Sequence, residues 1–258
     1  MLEAKTVAVK GGPSMQVLVG GAGEALVWLH GISGVVPGET LLEILATHFR
    51  VYAPITPGRA DLGELDGIDD IHDLALHYDS LLEALGLNRV ILVGHSFGGM
   101  LAAEIAAHVP KRVAKLALIA PLGLWKDDEP VADLFGLPYP AMDELMWRGA
   151  TTEAKPSAAI AALNDPTERQ IAIVNGAASV AKFIWGVPDR GLRKRLSRIN
   201  APTLVVFGEQ DAYVPSSYAD EFVAKILGAQ KLLMKGSHML PFEQPDRLAE
   251  AIGSLASR

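Results

Sequence analysis

Runs of apolar and β-branched residues recur along the chain at intervals that leave room for helices between them. Lys5–Val9, Met15–Val19, Ala25–Leu29, Arg50–Pro54, Val90–Val93, Leu116–Ile119, Thr203–Phe207 and Lys231–Met234 are read as strands. The first two flank Lys10-Gly11-Gly12-Pro13-Ser14, a turn-forming run that predicts a hairpin. Val90-Ile91-Leu92-Val93 and Leu204-Val205-Val206-Phe207 show no polar alternation. Unbroken apolar runs of that length suit parallel strands buried on both faces.

Helical periodicity fills the intervals. Thr40–Phe49 places Leu41, Leu42, Leu45 and Phe49 on one face, and Asp69–Leu85 repeats Leu74, Tyr78, Leu81, Leu82 and Leu85 behind an Asp cap. Met100–His108 is rich in Ala and stops before Pro110, and Pro245 opens a last helix that runs to Leu255. An antiparallel entry followed by alternating strands and helices predicts an α/β protein, with a mostly parallel sheet covered on both faces.

Leu122 to Asn200 breaks this rhythm. It has no strand pattern, is Ala-rich, and is punctuated by Pro130, Pro138, Pro140, Pro156, Pro166 and Pro188. A structureless loop of that length is uncommon, so residues 122–200 are read as a helical insertion in a core formed by 1–121 and 201–258. The insertion holds Trp125, Trp147 and Trp185, with Phe135, Tyr139, Met142, Met146 and Phe183. These residues form either its own small core or an apolar ceiling over a pocket.

Composition narrows the function classes. The chain has 258 residues, 50% of them hydrophobic, and its 30 acidic and 23 basic residues give a net charge of −7. That balance offers no footprint for a phosphate backbone, so no nucleic-acid partner is expected. Cysteine is absent, which excludes disulfides, thiolate metal sites and thiol nucleophiles. No leader pattern opens the sequence, and the longest uncharged apolar tract, Leu116 to Trp125, is about half a membrane span. A soluble cytoplasmic protein with no membrane partner is the expectation.

The chemistry centres on Gly94-His95-Ser96-Phe97-Gly98-Gly99, which follows the Val90–Val93 strand and opens a helix. In this strand–turn–helix setting G-x-S-x-G places a serine hydroxyl on a sharp turn that side chains at the glycines would obstruct. Ser96 is therefore the candidate nucleophile, and it needs a base. Of seven histidines, His48 and His108 fall at helix ends, while His72 and His77 suit surface positions on a helix. His95 adjoins the serine and must point elsewhere, and His30 ends a strand where it would order a loop. His238 follows the last strand, at the carboxyl edge where open α/β sheets keep their ligand crevice. It is the candidate base. Asp211, in the loop after Thr203–Phe207, is the candidate orienting acid, with Glu209, Asp127 and Asp128 as alternatives.

With these motifs, His30-Gly31-Ile32-Ser33-Gly34 and Gly236-Ser237-His238, the chain resembles the α/β-hydrolase superfamily, in particular esterase-like members with a helical cap. The order Ser, Asp, His is the one that fold uses. The resemblance covers nearly the whole chain and is weakest across the insertion. It implies an eight-stranded, mostly parallel sheet and an oxyanion hole made by the backbone N–H groups of Ile32 and Phe97. A serine at the elbow excludes relatives whose chemistry needs an Asp there, and it favours acyl transfer. One departure stands out: where the family often carries Pro-Gly-x-Gly-x-Ser, this chain reads Pro57-Gly58-Arg59-Ala60-Asp61-Leu62.

The expected activity is a carboxylesterase acting on small to medium apolar esters, with no metal and no cofactor. The histidines lack a metal-ligand spacing, and Gly20-Gly21-Ala22-Gly23 lacks the helix that would receive a pyrophosphate. Lactonases and carbon–carbon bond hydrolases share the triad, and a small-molecule receptor could share the fold. A carbon–carbon hydrolase needs polar groups for its substrate carboxylate. The cluster Arg190, Arg193, Lys194, Arg195 and Arg198 is instead read as a solvated helix face. Trp185, just upstream, is a candidate substrate contact.

Overall fold

The computed structural model describes residues 1–35, 38–150 and 165–258. Eight strands form one sheet: β1 (Glu3–Val7), β2 (Met15–Gly20), β3 (Ala25–Leu29), β4 (Arg50–Pro54), β5 (Val90–His95), β6 (Val113–Ile119), β7 (Thr203–Gly208) and β8 (Gln230–Met234). Their order is β1-β2-β4-β3-β5-β6-β7-β8, with β2 antiparallel to both its neighbours and every later pairing parallel. All eight coincide with the predicted runs to within a few residues. β1 begins two residues earlier than its pattern, and β6 three residues earlier.

The helices that position the site are α1 (Thr40–Ala46), α2 (Ile71–Ala84), α3 (Phe97–His108), α4 (Tyr139–Trp147) and α5 (Pro166–Ile184). Beyond α5 come α6 (Leu192–Arg195), α7 (Tyr218–Lys225), α8 (Leu240–Glu243) and α9 (Pro245–Ala256). Asp70 caps α2 by accepting from the N–H groups of His72 and Asp73 at 2.7 and 3.0 Å. Among the described residues no helix is long and apolar enough to cross a membrane.

Strand periodicity splits the core into two layers. Leu92, Leu116, Leu118, Val205 and Phe207 face α2 and α3, whereas Ile91, Val93, Ala117, Ile119 and Val206 face α1 and α9. Both layers are dry, which is why the central strands carry no polar alternation.

No strand interrupts the described part of 122–200, and Pro156 lies outside the described residues. Leu145, Met146, Trp147, Val180 and Phe183 do not form a separate core. They join the layer that contains α2 and α3, with Phe183 stacked on Phe97 at 5.9 Å. The basic cluster is solvated in part: Arg190, Lys194 and Arg198 are exposed, but several of its side chains also make specific bonds. Arg195 grips Glu104 through two bonds of 2.9 and 2.7 Å, Arg198 donates to the Ala107 carbonyl, and Arg193 binds Glu221 and the Trp125 carbonyl. These side chains end in α3, in α7 and in the loop after β6, so they act as struts. His77 is another correction: it is buried under the β1–β2 turn, and burial lowers its pKa.

Glu104 has no solvent exposure, so its charge is tolerated through Arg195. Removing one partner of a buried pair leaves an uncompensated charge, at a cost of about 3 kcal/mol. Arg195→Ala is expected to lower urea-unfolding stability by about that amount, and Arg195→Ala with Glu104→Gln to recover most of the loss. An unaffected single variant would show that the pair contributes nothing.

Candidate active site

The site begins with a strained turn. Ser96 has φ 57° and ψ −118°, a conformation that L-residues rarely adopt, between the end of β5 and the first residue of α3. Two glycines make the turn sterically possible. A Cβ on Gly94 would lie 2.2 Å from the Gly98 carbonyl oxygen, and one on Gly98 would lie 2.1 Å from the Leu29 oxygen. The Ser96 N–H donates to the Ile119 oxygen at 2.9 Å, and the Ser96 carbonyl accepts from Leu122 at 3.1 Å. The end of β6 and the loop that follows it thus hold the serine backbone.

The structure brings Ser96, His238 and Asp211 together. Ser96 Oγ lies 2.8 Å from His238 Nε2, and His238 Nδ1 lies 2.8 Å from Asp211 Oδ2. An ionised carboxylate only accepts, so the proton sits on Nδ1 and leaves the Nε2 lone pair for the serine hydroxyl. Asp211 Oδ1 accepts from the N–H groups of Tyr213 and Val214 at 2.9 and 2.8 Å, which fixes the carboxylate in the loop after β7. The Tyr213 ring meets the imidazole edge-on at 4.9 Å. Glu209 is exposed and contributes its N–H to the Met234 carbonyl; Asp127 and Asp128 are exposed too. None of these alternatives takes the place of Asp211.

Several supporting residues were not singled out from the sequence. Gln210 bridges the loops after β7 and β8: its N–H donates to the Gly236 oxygen at 3.0 Å and its Oε1 accepts from the Gly236 N–H at 2.9 Å. Glu243, on α8, accepts from the Ser237 N–H at 2.7 Å. Gln210 lies inside the Gly208-Glu209-Gln210-Asp211 motif, but a bridging amide there has no spacing signature. His95 Nε2 donates to the His238 carbonyl at 2.9 Å, so the side chain beside Ser96 anchors His238 from behind. His30 donates from Nδ1 to the Gly31 oxygen at 2.7 Å and accepts at Nε2 from the Thr56 N–H at 3.0 Å, ordering its loop as expected.

Ile32 and Phe97, the two residues expected to donate to an oxyanion, both lie beside Ser96. Gly31 packs so closely on the nucleophile that a Cβ there would be 3.1 Å from Ser96 Cβ, and Phe97 opens α3. Among the described residues, neither N–H is engaged by an acceptor. The α3 N-terminus adds its favourable partial charge at the same point. Ile32 and Ser33 also line a narrow pocket with Met142, Met146, Trp147 and Ile173. Trp185 is not in that wall; it caps α5 and is 61% exposed. A larger groove between α1 and α9 contains none of the triad residues.

One grouping has metal-ligand character among the described residues. His72, Glu104 and His108 bring ligand atoms within 4.8 Å of one another. Both Glu104 oxygens already accept from Arg195, and His108 Nδ1 donates to the Glu104 carbonyl at 2.8 Å. The carboxylate is committed to an ion pair.

Residues 17–251 match the family model described as the Alpha/beta hydrolase family, and the chain belongs to that family. It is 25% identical over 234 residues to a pimeloyl-[acyl-carrier protein] methyl ester esterase of Vibrio campbellii, covering 86% of this chain and 90% of the relative. It is 26% identical over 249 residues to a 2-hydroxy-6-oxo-6-phenylhexa-2,4-dienoate hydrolase of Burkholderia cepacia, covering 88% and 85%. A carboxylesterase from Bacillus subtilis superimposes with a TM-score of 0.77 at 20% identity, covering 99% of this chain and 92% of that one. That likeness shows the shared fold.

Burial pushes the pKa values of His30 and His95 down from 6.5 to about 3. Arg59 is the second influence on His30, and His238 is the second on His95. Both rings stay neutral in the folded protein at pH values where the unfolded chain takes up protons. Stability is therefore fully present above pH 6.5 and falls with acidification toward pH 3, with a slope approaching about 1.4 kcal/mol per pH unit for each ring. His95→Gln keeps a donor and loses the titration, so urea unfolding between pH 7 and 5 should show a shallower decline than wild type. An unchanged slope would remove His95 from the account.

Proposed function

We propose that the chain is a serine hydrolase that cleaves small to medium apolar carboxylic esters through an acyl-enzyme, with Ser96 as nucleophile, His238 as base and Asp211 as orienting acid. The observation that carries this reading is the pair of 2.8 Å contacts joining Ser96 to His238 and His238 to Asp211. A serine that can pass its proton to a neutral imidazole, oriented by a fixed carboxylate, is equipped for attack on a carbonyl.

Ser96 Oγ attacks the ester carbon while its proton moves to His238 Nε2, and the carbonyl π pair becomes an oxyanion. The N–H groups of Ile32 and Phe97 receive that charge, an interaction stronger in the transition state than in the ground state. Collapse expels the alcohol, which takes the proton from Nε2. A water molecule then gives a proton to Nε2 and its oxygen to the acyl carbon, and the second collapse returns Oγ and its proton. Protein groups and water supply every step. The insertion, 122–200, serves in this reading as a cap whose Met142, Met146 and Trp147 favour apolar substrate groups.

Similarity to a ring-cleavage hydrolase raises a carbon–carbon reading, in which a cation would hold the substrate carboxylate. Among the described residues, no Arg or Lys lines the pocket beside Ile32 and Ser33, and most of the basic cluster is bonded elsewhere. Arg190 donates to the Phe183 and Trp185 carbonyls, Arg193 and Arg195 bind carboxylates, and Arg198 holds the Ala107 oxygen. This favours the ester reading.

The test is steady-state hydrolysis of p-nitrophenyl esters from acetate to long acyl chains. Wild type should turn over short and medium esters, Ser96→Ala should fall to background, and Asp211→Asn should lose on the order of 10⁴ in kcat. Equal rates in wild type and Ser96→Ala, or no turnover across the series, would sink the proposal.

A further inference from the structure

Arg59 stands in the Pro57–Leu62 stretch that departs from the common family pattern. Its guanidinium is largely withdrawn from water, and burial lowers its pKa from 12.5 to about 10, so it remains charged at neutral pH. Nη1 donates to the Ile32 carbonyl at 2.7 Å. Two glycines form the walls around it. A Cβ on Gly34 would lie 2.6 Å from Nη2, and one on Gly176 would lie 3.0 Å from Nη1. The cation therefore fills the space between the turn after β3 and the middle of α5.

The bonded carbonyl belongs to a consequential peptide. Gly31 to Gly34 form a turn closed by Gly34 N–H to Gly31 O at 3.1 Å, and Ile32–Ser33 is its central peptide. The two common turn types differ mainly by rotation of that central peptide. Rotation would exchange the Ile32 carbonyl for the Ser33 N–H and shift the backbone beside the Ile32 donor. A charged donor on the carbonyl opposes it. On the other side, α5 is tied to the same loop: Asn175 Nδ2 donates to the Ala60 oxygen at 3.3 Å, and Lys182 Nζ to the Leu65 oxygen at 3.1 Å. Ala172, Ile173 and Ala177 of α5 share a pocket wall with Ile32 and Ser33.

We propose that Arg59 is a positioning residue for the oxyanion hole: by holding the Ile32 carbonyl between Gly34 and Gly176, it fixes the turn that carries the Ile32 N–H and couples that turn to α5. Arg59 acts through Ile32 and touches no reacting atom. The role rests on the serine-hydrolase reading.

The decisive readout is the rate at which a fluorophosphonate phosphonylates Ser96, because its phosphoryl oxygen uses the oxyanion hole whichever ester is the substrate. Arg59→Met should lower that rate and kcat for p-nitrophenyl acetate together, by about 10- to 100-fold, with KM within about twofold. Arg59→Lys, which keeps a charged donor, should recover part of both. Added guanidinium ion should restore part of the rate in Arg59→Ala. Gly176→Ala, whose new methyl crowds the guanidinium, should give a smaller loss of the same kind. If Arg59→Met phosphonylates at the wild-type rate, or Arg59→Lys and guanidinium rescue nothing in folded protein, Arg59 has no such role. Rapid phosphonylation of wild type without ester turnover would instead count against the esterase reading alone.

Discussion

The site is organised around a steric constraint at the end of β5. The chain must turn at Ser96 within a space so tight that Gly94 and Gly98 approach carbonyl oxygens at distances no Cβ could tolerate. The turn places a non-glycine residue at φ 57°, a conformation costing on the order of 1–3 kcal/mol. That strain persists because the surroundings over-determine it. β6 takes the Ser96 N–H, Leu122 binds its carbonyl, α3 starts at the next residue, and the turn after β3 closes over its Cβ. The end of β6 and the turn after β3, both distant in sequence, thus meet at this one residue.

Charge is arranged around that hydroxyl with economy. Asp211 carries the negative charge on the base's far side and is stabilised by two backbone N–H donors. Burial keeps His95 and His30 neutral, so neither competes with His238 as a cation near the carboxylate. A protonated His95 would meet His238 at a ring separation of 5.1 Å and disfavour the imidazolium that the proposed mechanism forms there. Neutral histidines here serve as directional hydrogen-bonding groups.

Much of this was legible in the sequence because the signals were local. The unbroken apolar strands, the glycines around Ser96 and a histidine just past the last strand each constrain their own segment, and parallel topology gathers their ends at one edge. The segment 122–200 was read less well. Its tryptophans and basic residues give no periodicity that says which partner they meet, and the partners lie far away in the chain. Arg195 and Glu104 are 91 residues apart, and Arg193 and Trp125 are 68 apart. His77 was misjudged for the same reason, since the turn that buries it comes from the opposite end of the sheet. Arg59 was noticed as a departure from a pattern, but its contact with Ile32 depends on how two loops pack.

Those long-range contacts show how the described part of 122–200 is fixed against the sheet. Phe183 and Trp147 enter the core layer that already contains α2 and α3. Apolar burial supplies adhesion but tolerates sliding, whereas hydrogen bonds to backbone carbonyls specify register. Arg198 on the Ala107 oxygen and Lys182 on the Leu65 oxygen each tie the 122–200 segment to a fixed backbone atom of the core. Arg59 reaches the same region from the core side, with α5 at its back and the Ile32 carbonyl in front. A small displacement of α5 therefore has a direct steric route to the turn beside Ser96. In the proposed mechanism that turn both lines the pocket and donates to the developing oxyanion, so substrate recognition and transition-state stabilisation would share one piece of backbone.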